Sequence, residues 1–144
     1  MRTVLKGLMI VLALASLPGT IQARDIPEEE VLGGFLAGRY QAVGKRLDSQ
    51  DSYVGTVTLA SRGKTLAVTR MIDGVTTTGE ATIETAGDGQ HVLRLRFVER
   101  GVAYEGTYLW QSDLDNYARL SGYLYRPGQA TDSPGLEALF IVQE

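Results

Sequence analysis

From Gly38 onward the chain alternates apolar and polar side chains with a period of two. Turn-forming residues interrupt that alternation about every 10 to 14 positions, the mark of an all-β sandwich or barrel. The breaks fall at 48–52, 63–64, 73–74, 87–89, 100–101, 112–116 and 127–135. Successive side chains of a strand point to opposite faces, so the pattern predicts half-buried strands with their apolar side inward. Eight strands are predicted, at about 38–47, 53–62, 65–72, 75–86, 91–99, 102–111, 117–126 and 137–143. Most of the connections are too short to bring the chain back for parallel pairing, which takes roughly a dozen residues or more. Neighbours in sequence are therefore expected to be antiparallel neighbours in space.

Such a meander has two edges unless its first and last strands pair, and long apolar edges invite aggregation. The final stretch, Leu136 to Glu144, is apolar enough to pair with the first strand. The expected fold is an all-β, eight-stranded antiparallel up-and-down barrel, with a two-sheet sandwich as the alternative. A barrel of eight strands has an interior that holds packed side chains or one small ligand. Residues 37–144 form this domain. Before it, residues 24–36 (RDIPEEEVLGGFL) are the one helix candidate, a short plug or a disordered leader. Pro27 is tolerated in a first helical turn and Glu28, Glu29 and Glu30 favour its positive end, whereas Gly33 and Gly34 are expected to stop it.

Residues 1–23 have the three-part layout of a secretory signal. Arg2 and Lys6 supply the charged start, Leu8 to Leu17 the apolar run, and Ala23 a small residue at the expected cut. The run is shorter than the roughly 20 residues a spanning helix needs. The expectation is an exported protein, periplasmic or extracellular, with no membrane insertion after cleavage. Loss of the leader would leave 12 bases against 17 acids. That balance, with no clustered base, argues against a nucleic-acid groove. There is no cysteine, which excludes disulfides, thiol nucleophiles and cysteine-built metal sites, and the single histidine, His91, leaves little for a histidine centre.

The triplet Gly38-Arg39-Tyr40 opens the first strand directly after the leader. It resembles the G-x-W signature of lipocalins and their calycin relatives, with Tyr40 in place of tryptophan. The resemblance implies an eight-stranded up-and-down barrel over residues 35–143, an aromatic at Tyr40 plugging the closed end, and a cavity for a small, mostly apolar molecule. The T-D-Y-type loop and the late arginine of lipocalins are not evident; Arg126 precedes a Pro-Gly turn.

Six of the eleven aromatic residues lie between Tyr104 and Tyr125. Tyr104, Gly106, Tyr108 and Trp110 share one parity, so a strand puts them on one face. Turned inward, such a wall offers rings for packing and polar tips for orientation, as a ligand pocket requires. The alternative is a core or outer face of aromatics paired across strands. Arg70 shares parity with Leu66, Val68 and Ile72. Inside a barrel it needs an acid or an anionic ligand; at the rim it reaches water. The expected ligand-binding residues are Arg70, Tyr104, Tyr108, Trp110 and Tyr123.

Asp113, Asp115 and Asn116 lack the order of a calcium loop and serve as turn formers, so no metal and no cofactor is expected. No nucleophile elbow, phosphate loop or sheltered pair of carboxylates is legible, so no catalytic residue and no enzymatic activity is expected. The expected function is an exported barrel that binds a small hydrophobic or amphipathic molecule in its interior. The alternatives are a barrel that grips a protein partner, as an inhibitor or envelope assembly factor, and a stable fold without a small ligand.

Overall fold

A computed structural model describes residues 25–110 and 119–143. The leader at 1–23, the turn residues Asp113, Asp115 and Asn116, and Tyr117 lie outside the described residues. One helix precedes eight strands: α1 (Glu28–Leu36), β1 (Gly38–Lys45), β2 (Ser52–Arg62), β3 (Thr65–Ile72), β4 (Val75–Thr85), β5 (His91–Glu99), β6 (Val102–Trp110), β7 (Arg119–Tyr125) and β8 (Gly135–Ile141). Every strand pairs antiparallel with its neighbours in sequence, and β8 pairs with β1, closing the barrel. The closing register sets Tyr40 opposite Ile141, Ala42 opposite Leu139 and Gly44 opposite Glu137. This is the eight-stranded up-and-down barrel expected from the alternation, an architecture compatible with a calycin-like fold.

Tight turns hold the meander in register. Asp73–Gly74 and Arg100–Gly101 both carry positive φ at each residue (48° and 77°; 50° and 78°). Such mirror-image turns match the right-handed twist of the strands they join. β8 begins two residues earlier than the alternation indicated, because Gly135 and Leu136 already pair with Leu124 and Tyr123.

The barrel has two unlike ends. At one end α1 packs across β2, β3 and β4. Pro27 opens the helix, its carbonyl accepting from the amides of Glu30 and Val31, and three glutamates occupy the first turn. The sequence led us to expect Gly33 and Gly34 to end the helix; instead it continues through both to Leu36. The reason is tertiary. Gly33 lies buried against Leu66 and Leu36 is completely buried, so packing outweighs the roughly 1 kcal/mol cost of a helical glycine. Tyr40 is also completely buried here, and its hydroxyl donates to the Leu36 carbonyl at 2.8 Å. Burial pushes its pKa up to about 12. Leu59, Leu66, Val68, Leu93, Leu95 and Leu120 fill the adjoining interior. The other end, formed by the β1–β2, β3–β4, β5–β6 and β7–β8 turns, is the mouth.

Candidate functional site

Midway along the barrel, one inward row crosses five strands: Tyr108 on β6, Gly122 on β7, Glu137 on β8, Gly44 on β1 and Tyr53 on β2. Both strand neighbours of Glu137 are glycines, and the next position on each side is a tyrosine. The glycines supply the room for this arrangement. A Cβ at Gly44 would overlap the Tyr53 phenol, and one at Gly122 would overlap the Thr107 backbone carbonyl. Tyr53 therefore leans over Gly44, and the Tyr108 ring over Gly106 of its own strand, onto one carboxylate.

Glu137 accepts four hydrogen bonds. Tyr53 donates to Oε2 at 2.5 Å and Tyr108 to Oε1 at 2.7 Å. Across the barrel, Arg70 on β3 donates from Nη1 to Oε1 and from Nη2 to Oε2, both at 2.7 Å. This is the two-pronged guanidinium–carboxylate geometry that makes charge-assisted hydrogen bonds strong. Arg70 is 4 % exposed and Glu137 3 %. An unpaired charge at that depth would be prohibitive, so each ion is held there by the other. The Arg70 guanidinium also lies over the Phe97 ring at 4.7 Å, and Phe97 stacks on Tyr104 with centroids 5.2 Å apart and planes 16° from parallel.

The electrostatics follow from these contacts. Burial alone would raise the pKa of Glu137, but hydrogen bonds and charge from Arg70, with the two phenols, hold it below the usual glutamate range. Burial would lower that of Arg70, and Glu137 more than reverses this. Tyr53 and Tyr108 are pushed up, first by burial and then by the adjacent carboxylate. At neutral pH the site is one ion pair capped by two neutral phenols.

Above this layer, at the mouth, the packing stops short. A cleft of about 160 Å³ remains, lined by Tyr53, Arg70, Ile72, Phe97, Glu99, Tyr104 and Leu124. Arg46 and Arg126 also line it. Arg46 is paired with Asp73 and sits 5.4 Å from the Tyr53 ring centroid, while Arg126 reaches Asp48 at 3.0 Å.

The structure separates the residues singled out in the sequence. Arg70 faces the interior, not the rim, and its partner is an acid of the chain itself. Tyr108 is completely buried in the same network. Tyr104 lines the mouth cleft. Trp110 faces inward but pairs opposite Leu120 at the opposite end, packed partly buried against the core. The shared face of β6 thus extends along the whole barrel and does not form one pocket wall. Tyr123 corrects an expectation: it points outward and is 57 % exposed, because Leu120, Gly122 and Leu124 take the inward positions of β7. His91 is half-buried at the start of β5, where its Nε2 lies 3.4 Å from Glu28 of α1.

Sequence reasoning assigned no site role to Glu137, Tyr53 or Phe97. Glu137 stood at the edge of the predicted eighth strand, but its parity with Leu139 and Ile141 is the signal that puts it inside. A second polar network lies on the outer wall, where Arg94 and Arg96 of β5 bridge Glu84 and Glu105, with Tyr125 donating to Glu105 at 2.6 Å. Among the described residues no cluster of histidine and acidic side chains could hold a metal ion. No protein-family model matches the chain, and no curated protein matches it in sequence.

Proposed function

We propose that the protein is an exported, calycin-like binding barrel that takes a small amphipathic molecule, about the size of one aromatic ring, at its mouth. The observation that carries this reading is the cleft above the Arg70–Glu137 pair, floored by a guanidinium and walled by stacked aromatics. A cavity of about 150 Å³ is enough for a benzene-sized guest. Pockets for larger ligands run from roughly 300 Å³ upward, and the barrel below the cleft is filled by its own side chains. A long acyl chain therefore has no place in the interior.

The composition of the cleft supports the same reading. Packed apolar residues would stabilise a purely structural core as well as a buried ion pair does, or better. Arg70 and Glu137 instead hold a charged, rigid floor where the interior opens at the mouth. The four hydrogen bonds on Glu137 occupy the acceptor positions that proton transfer would need, which favours binding over catalysis. Phe97 and Tyr104 present a flat surface to a ring, and Arg46 and Arg126 stand where a polar substituent would emerge.

Nuclear magnetic resonance titration tests this with benzoate, indole and oleate as probes. The expected result is shifts confined to Ile72, Phe97, Tyr104 and Leu124 with one of the ring-sized probes, reduced at least fivefold in apparent affinity by Tyr104→Ala. Oleate bound with shifts through Leu93, Leu95 and Leu120, or no ring-sized probe bound at millimolar concentration, would refute it.

A further inference from the structure

A different part of the surface carries an independent inference. The strands β7, β8, β1, β2 and β3 form a continuous outer wall, and together they contain one acid, Glu137, which points inward. In a chain with 17 acids that is a strong bias. The outward positions of these strands instead carry Val54, Val43, Leu136 and Phe140, and Leu109 of the adjoining β6 extends the row, all substantially exposed; the one acid of β6, Glu105, is held by Arg96. Cross-strand register makes them neighbours: Val54 faces Val43, Val43 faces Ala138, Ala138 faces Ser121, and Ser121 faces Leu109. Basic side chains border this apolar row. Arg119 lies opposite Phe140, Lys45 opposite Leu136, and Arg39 projects from β1.

The wall also carries a shallow, open depression. Ala138 and Ser121 make a low floor between the ridges of Val43, Leu136, Tyr123 and Leu109, leaving a groove of about 500 Å³. Exposed apolar patches with polar rims mark interaction sites. Three occupants compete, and shape and charge distinguish them. A bilayer surface rests on protrusions and does not fill a recess. A second copy in a two-fold pair would set the same patch against itself, and among the described residues that patch offers its rim bases no acid. The groove needs protruding apolar side chains, and its border needs carboxylates.

We infer that this groove docks a segment of another protein in which apolar side chains are flanked by acidic ones. The mouth cleft takes no part in it, so the two sites are separable by mutation. Asp48, in the mouth turn that follows β1, is already held by Arg126.

The test selects from a random twelve-residue peptide library displayed on phage, using the full-length protein as bait. Recovered peptides are expected to combine Leu, Ile or Phe with Asp or Glu. Their binding is expected to fall at least tenfold in Ala138→Glu, which fills the floor with the wrong charge. It should fall roughly three- to tenfold in Arg119→Glu, and weaken as salt rises. Both positions lie outside the core, and a thermal melt matching the parent establishes that each variant folds. Tyr104→Ala is expected to leave peptide binding unchanged. Basic or charge-indifferent peptides, or peptides that bind both variants as well as the parent, would overturn the inference. So would no selected peptide together with binding to phosphatidylglycerol vesicles, or a dimer in sedimentation that Ala138→Glu abolishes.

Discussion

At the scale of single residues, Glu137 is the position on which most of the interior depends. It gathers Arg70, Tyr53 and Tyr108 from three other strands, and each partner is buried because the others neutralise or satisfy it. Glu137→Gln leaves the Arg70 charge buried without a counter-ion, and such a break costs about 3–5 kcal/mol. Denaturant titration is expected to show a loss of that order. The double variant Arg70→Met, Glu137→Leu removes both charges and should recover most of it; a double variant as unstable as the single would mean that the ion pair is not the cause. The same site sets two pH limits. Glu137 is held below its unfolded value near 4.3, so its contribution is complete above that pH and disappears as pH falls through the lower folded value. Tyr53 and Tyr108 are raised above 10, so their contribution is complete below about pH 10 and is lost as pH rises beyond it. Tyr53→Phe is therefore expected to flatten the alkaline limb of stability against pH and to weaken the acid limb only in part, because Arg70 and Tyr108 still hold Glu137 down.

At the scale of elements, the helix and the last strand do complementary work. α1 closes the end opposite the mouth with Leu36, against which Tyr40 is tied by its hydroxyl. Leu36→Ala should destabilise by about 2–5 kcal/mol, the range for emptying a fully buried leucine site. Strands were legible in the sequence because alternation reports burial directly, and the turns around Asp73–Gly74 and Arg100–Gly101 announce themselves by residue type. The helix was half legible: its acidic start could be read, but its passage through Gly33 and Gly34 depends on Leu66, a residue on another element. The site was less legible for the same reason. Arg70 stood out against apolar neighbours on its own strand, whereas Glu137 acquires its meaning only when β8 lies beside β1. The two glycines flanking it are far apart in sequence, and only the closing register places Gly44 and Gly122 in one row. Tyr123 was drawn to the site by its aromatic identity, although the parity of Leu120 and Leu124 already sent it outward. Gly122→Ala tests the row itself. Its methyl group must displace the β6 backbone, so a loss of about 1–3 kcal/mol is expected by thermal unfolding.

At the scale of the molecule, closure separates three surfaces that a slab would merge. The described core residues pack the interior, the mouth retains a small cleft, and the outer wall divides into an apolar, base-rimmed face and a face where Arg94, Arg96, Glu84 and Glu105 neutralise one another. Pairing of β1 with β8 predicts that amides at the closing seam, such as those of Val43 and Phe140, exchange with solvent as slowly as those of β2 and β5. Fast exchange confined to β1 and β8 would indicate open edges. Among the described residues no helix is long and apolar enough to cross a membrane. The most direct measurement of the whole account is the carboxyl carbon resonance of Glu137 followed through an acid titration of ¹³C-labelled protein. Convergence of β2, β3, β6 and β8 on that one group predicts a midpoint below the usual glutamate range, moved upward by Arg70→Met wherever that variant remains folded. A Glu137 that titrates at or above the ordinary value in the parent protein would contradict it, since the arginine and the two phenols would then not meet inside a closed barrel.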